Sequence, residues 1–261
     1  MHLSDETRTQ IKKLLLSTVR DKLKTYKPET IFMPFHYRLL GKDRYIMFSF
    51  IQSMNTTFGM SIWEQVAVIL ANGSGKYAER QYKLLGEIDP DTENFINDLH
   101  YKLRKGEIKA NKNFEIEEIR TRIKSGNNIL DPDSTVDFFM KNDNSENYFD
   151  ITSAKPNIKE FVALKLKLLR WIGLRLSQNK EIKLFTRLAI PYNPYYPESY
   201  ERWTLQGLYD LEGGEILVGE EFWNFVAGEN IYEELLDVFQ ETGKELRYEI
   251  DKKFEEFKGN F

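Results

Sequence analysis

Apolar residues along this chain recur first at helical spacing, then in two short alternating runs, then at helical spacing again. From Ser4 to Tyr26 the residues Ile11, Leu14, Leu15 and Val19 line one side of a helix, with Ser4 as its cap and Pro28 as its stop. IFMPFHYRLLGKDR reads as irregular, because Pro34 and Gly41 interrupt it, and RYIMFSFIQSM resumes an apolar helix. Gly59 punctuates, and SIWEQVAVILA follows as a new helix capped by Ser61. ANGSGK resembles part of a phosphate loop, but Leu70 stands where the first glycine belongs and Tyr77 where Ser or Thr should follow Lys76. It reads as a helix-to-helix turn. Further helices are predicted from Asp89-Pro90 to Leu103 and over FEIEEIRTRI.

The period then changes. STVDFFM and NYFDIT are short, rich in β-branched and aromatic residues, and separated by the polar KNDNSE, which predicts a β-hairpin. After Pro156-Asn157 comes a long amphipathic helix, IKEFVALKLKLLRWIGLRLS, with Phe161, Leu164, Leu168 and Ile172 on one face. EIKLFTRLAI is a strand ended by Pro191, PYNPYYPESYERW a rigid aromatic loop, and EILVG a short strand. Ile231, Leu235, Phe239, Leu246, Ile250 and Phe254 mark a last long helix with Gly243 as a weak point. The expected fold is α/β, a small mixed β-sheet flanked by helices. It is read as one domain over 1–261, with 1–105 mainly helical and 130–230 carrying the core.

Composition narrows the chemistry. The chain has no cysteine and three scattered histidines, His2, His36 and His100, which removes disulfides, thiol nucleophiles and a convincing zinc centre. It has no apolar run of membrane-spanning length and no secretory leader, so a soluble, cytoplasmic protein without a membrane partner is expected. Net charge is −4, yet His100 to Arg187 holds 18 Lys/Arg against 12 Asp/Glu and Glu198 to Lys258 holds 6 against 17. That asymmetry permits a basic working face on an acidic body. The plainer alternative is two solvated helix surfaces.

The chemistry concentrates in the hairpin. A two-residue turn on Asp143-Asn144 sets Asp137 directly opposite Asp150, with Cβ atoms roughly 5 Å apart on one face. Two carboxylates that close repel unless a cation lies between them. Mg²⁺ suits such a pair, since it takes one or two carboxylates and completes its shell with water and phosphate oxygens. Otherwise either aspartate lies on a solvated sheet face or in the turn.

The order acid, apolar strand, short turn, apolar strand, acid, basic helix resembles the core of the PD-(D/E)XK nuclease superfamily. PFHYRLLGKDR, FSFIQSMNTTFGMSIWEQVAVILA, STVDFF, YFDITSAKPN and VGEEFWNFVAG resemble the type II restriction endonucleases that cut GGNCC sites. The resemblance implies Mg²⁺-dependent cleavage of double-stranded DNA, with a cognate DNA methyltransferase in the same system. Cutting both strands of a palindromic site is most simply done by a homodimer, and the N-terminal helices, which exceed what the nuclease core needs, are the candidates for its interface. Asp137 and Asp150 match the superfamily's acids. Asp133 is a rival for the first, because Pro132-Asp133 reproduces the literal dipeptide, but Asp137 lies within the apolar strand and registers with Asp150. Glu64 matches the helix-borne extra acid, or is a surface residue on an apolar helix.

Thr152 stands where the pattern has a catalytic lysine. Three explanations compete: Lys155 swings back to serve, the metal suffices without a lysine, or the chain is a weakened or inactive variant. Lys155 otherwise anchors a phosphate near the start of the helix at Ile158. Further phosphate candidates are Lys159, Lys165, Lys167 and Arg170, unless they form the wet face of that helix. Base readers are sought in Lys183, Arg187 and Arg202, and in Arg38, Lys42 and Arg44. A repair-type nuclease and a dead DNA-binding protein of the same fold are the competing functions.

Overall fold

The computed structural model describes residues 2–27, 33–142, 144–200, 205 and 207–259, the side chains at 60, 132, 133, 258 and 259 excepted. In chain order the elements are α1 (Asp5–Thr25), α2 (Pro34–Leu40), α3 (Lys42–Thr57), a single π-helical turn (Phe58–Ile62) and α4 (Trp63–Gly73). Then come β1 (Tyr77–Leu85), α5 (Pro90–Lys105), α6 (Lys112–Arg122), β2 (Leu130–Asn142) and β3 (Ser145–Ile151). α7 (Ile158–Gln178), β4 (Leu184–Ile190), β5 (Ile216–Val218), α8 (Glu220–Ala227) and α9 (Tyr232–Gly259) complete the series. They divide into two compact units, the first Leu70–Gly228 and the second Met1–Ile69 with Glu229–Phe261.

The second of these is helical. Ser4 caps α1 as expected, its hydroxyl accepting the Thr7 N–H at 3.1 Å. Pro34 does not interrupt a helix but opens α2, at the position where a missing N–H costs nothing. Gly41, at φ +88°, separates α2 from α3. Ser61 caps no new helix, because α3 runs through the π-helical turn into α4. Gly243 leaves α9 unbroken. α1 and α9 pack together with their charges matched: Arg8 with Glu234 and Glu241, Lys12 with Glu245, Arg20 with Glu245 and Glu249. The acidic stretch of the sequence is thus partly neutralised by the first helix. Leu23, Tyr26, Ile46, Phe50 and Phe257 form an apolar core within this unit.

The unit Leu70–Gly228 is built on one five-stranded mixed sheet in the order β1-β2-β3-β4-β5. β1, β2 and β3 are antiparallel neighbours, and β3, β4 and β5 run parallel. The turn ANGSGK leads into β1, where the sequence suggested a second helix. β1 is an edge strand, and Glu79, Arg80 and Lys83 break its apolar alternation; such charges keep an edge from pairing with another chain. α7 lies across the sheet, and α5 and α6 pack on α7. On the opposite face α8 sets Phe222 against Phe138 and Phe149, and Phe225 against Phe149.

Candidate active site

The hairpin register is the one the sequence implies. Phe138 pairs with Phe149 and Asn142 with Ser145, leaving two residues for the connection, of which Asp143 lies outside the described residues. Phe138 and Phe149 both meet Phe222 of α8, so by alternation Asp137 and Asp150 face the other way, toward α7. The regular ladder stops one step before the aspartates. There the Asp137 carboxylate accepts the backbone N–H of Ile151 at 2.8 Å. β3 stays tied to β4 beyond this point, the Thr152 N–H donating to Ala189 at 3.0 Å. The rival Asp133 lies on β2, but its side chain is outside the described residues.

Asp150 is 6% exposed, and its charge is met from above by α7: Lys167 Nζ lies 2.6 Å from Asp150 Oδ2 and 4.9 Å from the Trp171 ring centre. Among the described residues no three His, Cys, Asp or Glu side chains gather as a metal cage. Two carboxylates on one face nevertheless supply the hard oxygen donors that Mg²⁺ accepts, with water filling the remaining positions.

α7 explains where the other cations went. Its sequence suggested one wet face, but α5 and α6 cover it, and Lys165, Leu168, Leu169, Trp171, Ile172, Gly173, Leu174, Leu176 and Ser177 are buried. A buried cation requires a partner, and each one on α7 has it. Lys165 is 0% exposed, with Nζ 2.8 Å from Glu115 and 2.7 Å from Glu215, so it is no phosphate anchor in this fold. Arg170 pairs with Glu93 and Asp131, and Arg175 with Glu146, which also accepts from Tyr148. Lys112 completes the buried cluster at 2.7 Å from Glu215. Burial alone would raise the Glu215 carboxyl, but Lys112 and Lys165 override it and hold it down at about 2.

Lys155 and Lys159 are exposed, on the loop after β3 and in the first turn of α7. The Lys155 ammonium stands over the Tyr195 ring at 4.9 Å. Asn157 caps α7, its side chain accepting the N–H groups of Lys159 and Glu160 while Glu160 returns the bond, so the protein itself occupies these first-turn donors.

On the outer side of β2, the β1 residue level with Asp137 is Gln81, between the pairs Arg80 with Phe138 and Tyr82 with Val136. It is exposed and has φ +51°, the left-handed region a side chain normally avoids.

A family description of type II restriction endonucleases typified by HinfI matches residues 3–243, nearly the whole chain and a span that contains Asp137 and Asp150. The chain belongs to the HinfI family of type II restriction endonucleases. Among relatives, it is 24% identical over 278 positions to the type II restriction enzyme HgiEI of Herpetosiphon aurantiacus, covering 97% of this chain and 99% of that enzyme. HgiCII of the same organism is 25% identical over 227 positions, 84% of this chain and 81% of the relative. MjaII of Methanocaldococcus jannaschii is 25% identical over 202 positions, 73% of this chain and 53% of the relative. A member of the HinfI family is a site-specific deoxyribonuclease whose substrate is double-stranded DNA. No helix among the described residues is long and apolar enough to cross a membrane.

The remaining residues expected to contact DNA are dispersed. Lys183 is exposed just before β4, its ammonium 5.8 Å from the Phe185 ring centre. Arg187 does not project from the aromatic loop. It is 9% exposed, flanked by Phe185 and Phe225, and donates to the Gly214 carbonyl; burial pushes its guanidinium down to about 10. Arg202 lies outside the described residues. Arg38, Lys42 and Arg44 are exposed on α2 and at the start of α3, where Arg44 donates to the Leu40 carbonyl at 2.8 Å. Glu64 is 3% exposed on α4 and so is not a surface residue; it belongs to the helical unit.

Proposed function

We propose that this endonuclease hydrolyses phosphodiester bonds at Asp137 and Asp150, that it requires Mg²⁺, and that its site is GGNCC. The observation that carries the reading is the placement of two carboxylates on the same face of adjacent strands, one of them buried, with the Lys167 ammonium against it. The order of Asp137, the hairpin, Asp150, α7 and the parallel β4 supports membership of the PD-(D/E)XK superfamily. Mg²⁺ held by the two carboxylates would supply Lewis-acid activation of water and countercharge for the phosphate. The chain's own part is to fix these oxygens: the Ile151 N–H orients Asp137, and β4 holds the strand that carries Asp150. Exposed Lys155 and Lys159 supply phosphate contacts beside the site. Cutting both strands of a two-fold GGNCC site calls for a homodimer, and a methyltransferase of the same specificity protects the host's sites.

Incubating the purified protein with unmethylated phage DNA, with Mg²⁺ or EDTA, tests this directly. Discrete Mg²⁺-dependent fragments whose sequenced ends fall in GGNCC are expected. Random smearing favours a repair-type nuclease, and intact DNA that is still bound at discrete sites favours a dead reader.

A further inference from the structure

We propose that Lys167, reaching down from α7, is the reaction-centre ammonium that Thr152 does not supply from β3. The inference rests on the reading of Asp137 and Asp150 as the cleavage site. Lys155 lies over Tyr195, whereas Lys167 Nζ is already bonded to Asp150 at 2.6 Å. Its neighbour on the helix makes the contrast plain. Lys165 is sealed between Glu115 and Glu215, while the Lys167 side chain keeps 28% of its surface in solvent and can meet a ligand arriving at the carboxylates. The same ammonium lies 4.9 Å from the ring centre of the fully buried Trp171, which marks where α7 delivers it. Over about three turns of a covered helix, carboxylates are matched to Lys165, Lys167, Arg170 and Arg175, and of these acids Asp150 alone is part of the hairpin pair with Asp137.

The contact has a second consequence. An ammonium on Asp150 Oδ2 occupies the carboxylate that a divalent cation would need, and two cations cannot share it without repulsion. Lys167 is thus a resident counterion that would yield Asp150 to a divalent cation and turn its N–H groups to the substrate. During hydrolysis water adds to phosphorus, one P–O ester bond breaks, the leaving oxygen takes up a proton, and the water's proton passes to solvent. Lys167 stays charged throughout, donating hydrogen bonds to the attacking water and a non-bridging oxygen.

The test uses the full-length protein in four forms: wild type, Lys167→Met, Lys167→Met with Thr152→Lys, and Asp150→Asn. Single-turnover cleavage of a cognate duplex is read beside duplex binding in Ca²⁺ and terbium luminescence titration of the protein alone. Lys167→Met is expected to slow cleavage by about 100-fold or more with duplex binding unchanged. Adding Thr152→Lys is expected to restore at least about tenfold, since the ammonium returns to the same centre from the strand. Terbium is expected to bind Lys167→Met several-fold more tightly than wild type, because the competing cation is gone. Cleavage by Lys167→Met within about threefold of wild type, or unchanged terbium affinity, would overturn the proposal. Asp150→Asn separates it from the reading beneath: if that variant still cuts, the site itself is wrongly placed, whatever Lys167 does.

Discussion

Asp137 accepts the backbone N–H of Ile151, so the acid on β2 is oriented by the residue that follows the acid on β3. The two acidic positions are thereby linked through the main chain of β3. Asparagine can keep that bond but carries no charge. Asp137→Asn is therefore expected to unfold in urea like wild type while losing cleavage by about 100-fold or more. Asp137→Ala should lose cleavage equally and also about 1 kcal/mol of stability, the usual worth of one such bond. Urea titrations run beside cleavage assays distinguish the two variants.

The buried cluster of Lys112, Glu115, Lys165 and Glu215 is balanced, two charges of each sign. Removing the Glu215 charge leaves two ammonium groups with one carboxylate, all of them buried. Glu215→Gln is expected to cost about 3–5 kcal/mol, read as a lowered urea midpoint with an unchanged slope.

The same residue sets a pH dependence. Glu215 is held at about 2 in the fold against an ordinary value of 4.5, so the stabilisation is complete above the ordinary value and is lost as pH falls toward the lower one. Burial moves Glu115 the opposite way, which offsets part of the loss. Melting temperatures measured from about pH 6 to about pH 3 should fall for wild type, with the gap to Glu215→Gln narrowing over that interval.

Gln81 holds a left-handed backbone in the strand next to Asp137. A β-branched residue tolerates that region least. Gln81→Val is expected to lose about 1–2 kcal/mol, although valine favours strands elsewhere. Gln81→Gly should be neutral or stabilising. Thermal melts of the two variants test this, and a valine variant as stable as wild type would contradict it.

Much of the nuclease hairpin was legible because two local rules agree. A two-residue turn and strict alternation leave one register that buries Phe138 and Phe149 together, and that register aligns the aspartates. β1 was illegible for the converse reason, since an edge strand interrupted by charges has no clean period. Along α7 the misreading was of environment, not of element. Lysines and arginines spaced among leucines look like a solvated face, yet apolar residues on nearly every side of that helix signal burial all round. A helix so placed demands acids for its bases. Neither Glu115 nor Glu215 is near Lys165 in sequence, so their meeting emerges only with the tertiary fold.

The matched charges of α1 and α9 also bear on how the molecule is made. α1 is translated before the sheet, and α9 after it, so the first helix emerges from the ribosome long before the partner that neutralises it. The continuous stretch Leu70–Gly228 can close its own core in the meantime, as nascent domains do. The strands bearing Asp137 and Asp150 lie wholly within that stretch, whereas the helical unit draws on both ends of the chain and needs α1 and α9 together.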